Sequence, residues 1–178
     1  MATTGSQPAW VDIVAQWRVP LGFVCGVAAL LLARPTAASV AVGSLVAAAG
    51  EGLRLWASGH LEKSREVTTS GPYRFVGHPL YLGTSIMGIG LAIASRRLMV
   101  AFLVIAYLAV TLTVAMRREE AFLRERFSTD YEAYRHGQAG SSRRFSLERV
   151  MRNREYRAVA GLAAVMGLLW AKSLWPRY

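Results

Sequence analysis

FVGHPLYLGTSIMGIGLAIAS, residues 75–95, holds no Asp, Glu, Lys or Arg, and beyond Arg96 and Arg97 a second such run, LMVAFLVIAYLAVTLTVAM, fills residues 98–116. About 20 apolar residues in a helix cross the hydrocarbon of a bilayer. The two runs therefore read as a pair of membrane helices joined at a two-arginine turn. Three shorter uncharged runs, 19–33, 35–50 and 158–171, flank them. The run at 35–50 reaches membrane length through Leu53, Leu55 and Trp56 if Glu51 and Arg54 lie inside the helix. The expected fold is an all-α integral membrane protein of about five transmembrane helices, with residues 1–178 forming a single membrane domain and 143–178 supplying a basic segment and the last span.

Composition agrees. The chain is 53% apolar and 18% charged, with a mean hydropathy of +0.29, against about 45–50% and about 25% for soluble domains. Disorder and a collagen-like repeat are excluded by the same figures. Cys25 is the only cysteine, so neither an intramolecular disulfide nor a Cys-rich zinc site is possible, and no metal is expected. The run at 19–33 reads as a span and not as a cleaved leader, because Arg18 is the only basic residue before it and Asp12 lies where a leader would be positive. Gly22 and Gly26 form a small-xxx-small pair that suits helix packing. There is no Rossmann fingerprint or phosphate-binding loop, and Gly88-Ile89-Gly90 lies within an apolar helical run.

The formal charge of +10 suits either nucleic acid or an anionic membrane face. Position separates the two. With five spans, fifteen Arg and Lys fall in the N-terminus, the 57–77 loop and the 117–157 segment, and five on the other side. The positive-inside bias then places the N-terminus and long loops in the cytoplasm. Arg143, Arg144, Arg149, Arg152, Arg154 and Arg157 read as juxtamembrane anchors, each worth about 1 kcal/mol on anionic lipid; no nucleic-acid partner is expected.

Three groups of residues carry candidate chemistry. Glu51 and Arg54 are spaced i, i+3 on one helix face, with Ser58 a turn further; charges at that depth are either a structural pair or a functional site. His78 precedes Pro79, which suits the first helical position, so that His78, Tyr81 and Ser85 share a face at a helix N-terminus. Such an end can seat a carboxylate, or its aromatics can anchor at headgroup level. Arg117 to Tyr134 leaves the fourth span as a cytoplasmic amphipathic helix with a stripe of Leu123, Phe127, Tyr131 and Tyr134. Glu119 and Glu120 follow the span directly, so at least one carboxylate points back to the bundle mouth.

Taken together, Gly50-Glu51-Gly52 with Leu55-Trp56-Ala57, Gly71-Pro72-Tyr73-Arg74, His78-Pro79-Leu80-Tyr81-Leu82-Gly83, and Glu119-Glu120 followed by Phe127, Asp130-Tyr131 and Tyr134 resemble the membrane methyltransferase superfamily. That superfamily includes isoprenylcysteine carboxyl methyltransferases and phospholipid N-methyltransferases. The resemblance covers residues 50–135 and implies a helical fold that binds S-adenosylmethionine without a Rossmann domain, through His78, Tyr81, Gly83, Glu119 and Glu120. It implies a lipid-like or prenylated acceptor, such as an isoprenylcysteine carboxylate, or else a phospholipid amine; a non-catalytic chain retaining the fold is the third possibility. The implied location is the cytoplasmic membrane of a bacterium. Two positions depart from the family pattern: Gly77 stands where the family has an arginine before His-Pro, and Arg135-His136-Gly137-Gln138 replaces Arg-Val-Pro. A carboxylate acceptor would need a cation, for which Arg74 and Arg54 are the candidates; an amine would need a base, for which Glu51 is the candidate.

Overall fold

The computed structural model of the chain describes residues 9–62, 67–127 and 143–175. They form α1 (Ala9–Leu32), α2 (Ala37–Ser58), a 3-10 turn (Gly71–Arg74), α3 (Pro79–Ser95), α4 (Leu98–Arg126), a short α5 (Leu147–Arg152) and α6 (Tyr156–Leu174), with no strand among them. Four stretches, Trp10–Leu32 and the whole of α2, α4 and α6, are long and apolar enough to cross a membrane. Their outer faces are those of a lipid-bathed bundle: Phe23, Leu31, Leu45 and Phe102 are each more than 70% exposed. A soluble domain would bury such a surface.

Helix α3 is shorter, at 17 residues, or about 25 Å. Pro79 occupies its first turn and sets its start, so residues 75–78 of the uncharged run lie outside it. At the other end Arg96 closes the helix in the left-handed conformation, φ 52°. Helix α6 gains instead, because Tyr156, Arg157, Lys172, Ser173 and Leu174 join the marginal run at 158–171 to give 19 residues.

Helices α2 and α3 form the centre and run antiparallel. Their backbones touch through glycines seven residues apart: a Cβ on Gly43 would lie 2.5 Å from the Gly90 carbonyl oxygen, and one on Gly50 would lie 2.6 Å from that of Gly83. Ser39 adds a hydroxyl bond to the Ala94 carbonyl at 3.1 Å. It also completes a capping box with Thr36, whose side chain accepts from the Ser39 N–H at 3.2 Å while the Ser39 hydroxyl accepts from the Thr36 N–H at 2.9 Å. Val40, Ala47, Ala94, Met166 and Leu169 make one core cluster, and Ala29, Val100 and Val104 a second. Of the Gly22 and Gly26 pair, Gly22 faces the Tyr107 ring, whereas a Cβ on Gly26 would meet nothing within 4 Å.

The charged residues after the fourth span do not open a new helix. Residues 117–126 continue α4 as one 29-residue element, while Asp130, Tyr131, Tyr134 and residues 135–138 lie outside the described residues. The basic segment is docked on protein. The Ser146 N–H and Arg149 Nε both donate to the Gly59 carbonyl, at 3.1 and 2.8 Å. Asn153 donates to Ser58 and Leu61 at 2.9 and 3.1 Å, and Arg152 lies 3.3 Å from Glu62. Two of the six arginines expected to anchor on lipid, Arg149 and Arg152, thus pair with protein groups at the C-terminal end of α2.

Candidate functional site

Where α2 ends and α3 begins, the chain must reverse without a regular element, and Gly71 makes this possible. Its φ is +61°, and a Cβ there would lie 2.6 Å from the His60 ring, so only glycine fits. His60 is held in turn by a 2.9 Å contact between Nδ1 and the Trp56 carbonyl and by Phe145 with ring centroids 6.1 Å apart. The turn buries Pro72 and Tyr73 and leaves Arg74 exposed.

Beneath this turn lies a cavity of about 620 Å3, within the roughly 300–1,000 Å3 of small-molecule sites. Its wall combines the start of α3 (Gly77, His78, Tyr81), the end of α4 (Arg118, Glu119, Phe122) and the end of α2 (Arg54, Ser58). Arg18 of α1, Glu62, Thr68 and Tyr73 between α2 and α3, and the turn residues Asn153 and Glu155 also line it.

His78 joins α3 to α4. Its Nε2 is 3.2 Å from Glu120 Oε1 and its Nδ1 is 3.7 Å from Glu119 Oε2. The Glu119 contact raises the His78 pKa above its ordinary 6.5 most strongly, burial opposes it and Glu120 adds to the rise. The Tyr81 ring lies 5.5 Å from that of His78, and its hydroxyl faces Glu119. The His78 side chain does not cap the helix; Pro79 has no N–H, and the Tyr81 and Leu82 N–H groups donate to the His78 carbonyl at 3.1 Å, which leaves the Leu80 N–H at an end that favours negative charge.

Arg54 joins α2 to α3 and to the turn that precedes α6. Its guanidinium donates to the Thr84 hydroxyl and to the Leu80 carbonyl at 3.5 Å, while Nη2 lies 2.5 Å from Glu155 and Nε 3.6 Å from Glu51. Glu51 and Glu155 are 5% and 6% exposed, so two buried carboxylates share one guanidinium. Losing Arg54 would leave both buried carboxylates uncompensated.

Of the eight residues singled out from sequence, Arg54, His78, Tyr81 and Glu119 line the cavity. Glu120 stands behind His78, and Glu51 backs Arg54 without lining the cavity. Gly83 faces α2, where a Cβ would lie 2.6 Å from the Gly50 carbonyl oxygen and from Arg54 Cγ, so its place is in helix packing. Arg74 is outside the cavity. Sequence reading passed over Asn153, Glu155, Arg18 and Arg118. Glu155 is an acid in an arginine-rich run, which was the one available hint; nothing local to the others sets them apart.

The fold and this site define a helical membrane protein with a polar chamber at one end of its bundle. A family model described as phospholipid methyltransferase matches residues 38–130, just over half of the chain. The chain belongs to that family, within the integral membrane methyltransferase superfamily. No curated protein and no solved structure matches it.

Proposed function

We propose that the chain is an S-adenosylmethionine-dependent methyltransferase acting on a membrane-embedded, isoprenoid or lipid-like acceptor. The observation that carries this is the meeting, in one chamber, of His78, Tyr81 and Glu119 on one wall with the Arg54–Glu155 pair on the other. The residues fit the cofactor. Glu119 can accept from its amine or ribose hydroxyls, and Phe122 and Leu123 offer apolar surface. The Leu80 N–H at the positive end of α3 suits a carboxylate oxygen, and a Cβ at Gly77 would meet nothing within 4 Å, so the wall is open there.

When bound, S-adenosylmethionine supplies a methyl group activated by its sulfonium. The chain's own contribution is alignment: displacement at such a carbon needs reactants held in line more than it needs acid chemistry. His78, carrying its raised pKa, fixes Glu119 and Glu120 relative to α3. Arg54, held by Thr84 and Glu155, presents its guanidinium to the acceptor's polar head. For a carboxylate acceptor, of the isoprenylcysteine type, Arg54 is the orienting cation, and Arg74, being exposed, is not. For a phospholipid amine the buried Glu155, which lines the chamber, takes the proton-accepting part first assigned to Glu51. The excess of carboxylate over guanidinium around Arg54 favours this second reading. The N-terminus and long loops are assigned to the cytoplasm, the side from which the cofactor would enter.

The test supplies methyl-labelled S-adenosylmethionine to the protein in liposomes containing either N-acetyl-S-farnesylcysteine or phosphatidylethanolamine. Label released as methanol by mild base marks a carboxyl ester; base-stable label in the lipid marks an amine. Label in neither, with protein that binds the cofactor, would refute both acceptor classes.

A further inference from the structure

At the end of the bundle away from the chamber, residues 33–36 join α1 to α2, and Arg96 and Arg97 join α3 to α4. The buried Ser95 locks the two turns together: its carbonyl accepts from the Arg34 N–H at 2.9 Å, and its hydroxyl accepts from the Arg97 N–H at 3.3 Å. Beneath them Ala29 of α1 shares a core cluster with Val100 of α4. Arg34, Arg96 and Arg97 thus leave adjoining stretches of backbone, the first two exposed and the third half-buried.

This cluster differs from the basic residues at the other end. Around the chamber Arg54, Arg118, Arg149 and Arg152 each meet a carboxylate, whereas among the described residues none of these three does. No Asp or Glu occurs at 13–50, 66–118 or 156–178, so the segments that build this end bring no acid to it. The neighbouring Lys172 is engaged elsewhere, its Nζ donating to the Leu30 and Leu31 carbonyls at 2.6 and 2.9 Å. Arg96 also holds a φ of 52°, the left-handed conformation in which glycine is the usual residue after a helix and a Cβ is strained. An arginine at that strained position points to a use for its side chain.

We propose that Arg34, Arg96 and Arg97 form a binding site for the phosphate of an anionic glycerophospholipid, which bridges the two turns and fastens the adjoining ends of α1, α2, α3 and α4. The setting selects the ligand. These turns end helices of membrane length, which places the guanidinium groups at headgroup depth. Next to Arg97, Leu98 and Met99 are 90% and 62% exposed, an apolar surface that suits acyl chains. Guanidinium forks match phosphate oxygens, and a cluster of three cations without an acid favours a lipid of net negative charge over a zwitterionic one. The site is separate from the chamber and does not depend on the methyl-transfer reading.

The probes are phosphatidylglycerol and phosphatidylcholine carrying a diazirine on the headgroup, photolysed with the full-length protein in nanodiscs and mapped by peptide mass spectrometry. In the wild type the phosphatidylglycerol probe should label residues 31–36 and 95–99 at least fivefold more than the phosphatidylcholine probe. Arg34→Gln combined with Arg97→Gln should cut that labelling at least fivefold and leave labelling of 143–157, at the other end, unchanged. Thermal unfolding in detergent gives a second readout. Phosphatidylglycerol should raise the wild-type midpoint by several degrees, and phosphatidylcholine or inorganic phosphate at the same concentration should not. Arg96→Gly should raise the midpoint without lipid, because the backbone strain is relieved, and yet lose most of the rise with phosphatidylglycerol; Arg124→Gln, exposed near the end of α4, should keep it. Equal labelling by the two probes, labelling indifferent to the double variant, or a full phosphatidylglycerol shift in Arg96→Gly would overturn the proposal. An equal shift with inorganic phosphate would overturn the lipid as its ligand.

Discussion

His78 is the residue whose ionisation the structure describes best. Its pKa lies above 6.5 in the folded chain because Glu119 and Glu120 face its two ring nitrogens. A raised folded-state pKa means that the stabilisation from these contacts is fully present below pH 6.5 and is lost as pH rises through the folded value. In an NMR titration of the imidazole, assigned by comparison with His78→Gln, the midpoint should lie above 6.5 and fall in Glu119→Gln; a midpoint at or below 6.5 would refute the arrangement. His78, Tyr81 and Glu119 were legible in the sequence because each sits at a helix boundary marked by a local signal, Pro79 in one case and the end of an uncharged run in the other. Glu155 was not, since its meaning depends on Arg54, a hundred positions earlier. Arg74 lies outside the cavity for the converse reason: four positions from His78 in sequence, it sits on a turn that buries Pro72 and Tyr73 and leaves it exposed.

At the scale of elements, the α2–α3 contact is the most constrained feature. Gly83→Ala would place a methyl 2.6 Å from backbone and side-chain atoms of α2, and overpacking of this kind costs about 1–3 kcal/mol. Detergent-phase unfolding should show that loss for Gly83→Ala and none for Gly52→Ala, whose added Cβ would meet nothing within 4 Å. Asn153→Ala, which strips donors from the Ser58 and Leu61 carbonyls, should cost about 1–3 kcal/mol in the same assay. The spans were legible from charge-free runs, but the seven-residue glycine spacings on α2 and α3 become informative only when the two helices are known to face each other. The run at 75–95 overstated α3 because hydropathy does not register where Pro79 sets the first turn. The basic segment looked like a lipid anchor because composition cannot show that Glu62 and the α2 carbonyls wait for Arg149 and Arg152.

Over the whole molecule, one end of the bundle gathers the start of α1, the ends of α2 and α4 and the starts of α3 and α6, with Arg118 lying 3.6 Å from Asp12. The opposite end holds Arg34, Arg96, Arg97 and Lys172. In a Cys25→Ser background, an impermeant maleimide should label Arg97→Cys from outside intact cells and Ser146→Cys only after permeabilisation; the reverse pattern would invert the proposed orientation. The central claim is that the chamber beneath Gly71–Arg74 binds the methyl donor. Calorimetric titration of S-adenosylmethionine and S-adenosylhomocysteine into detergent-purified protein, wild type beside Glu119→Gln, tests it most directly. Micromolar binding to the wild type, weakened at least tenfold in the variant, is the expected result; folded wild-type protein that binds neither ligand would contradict the account.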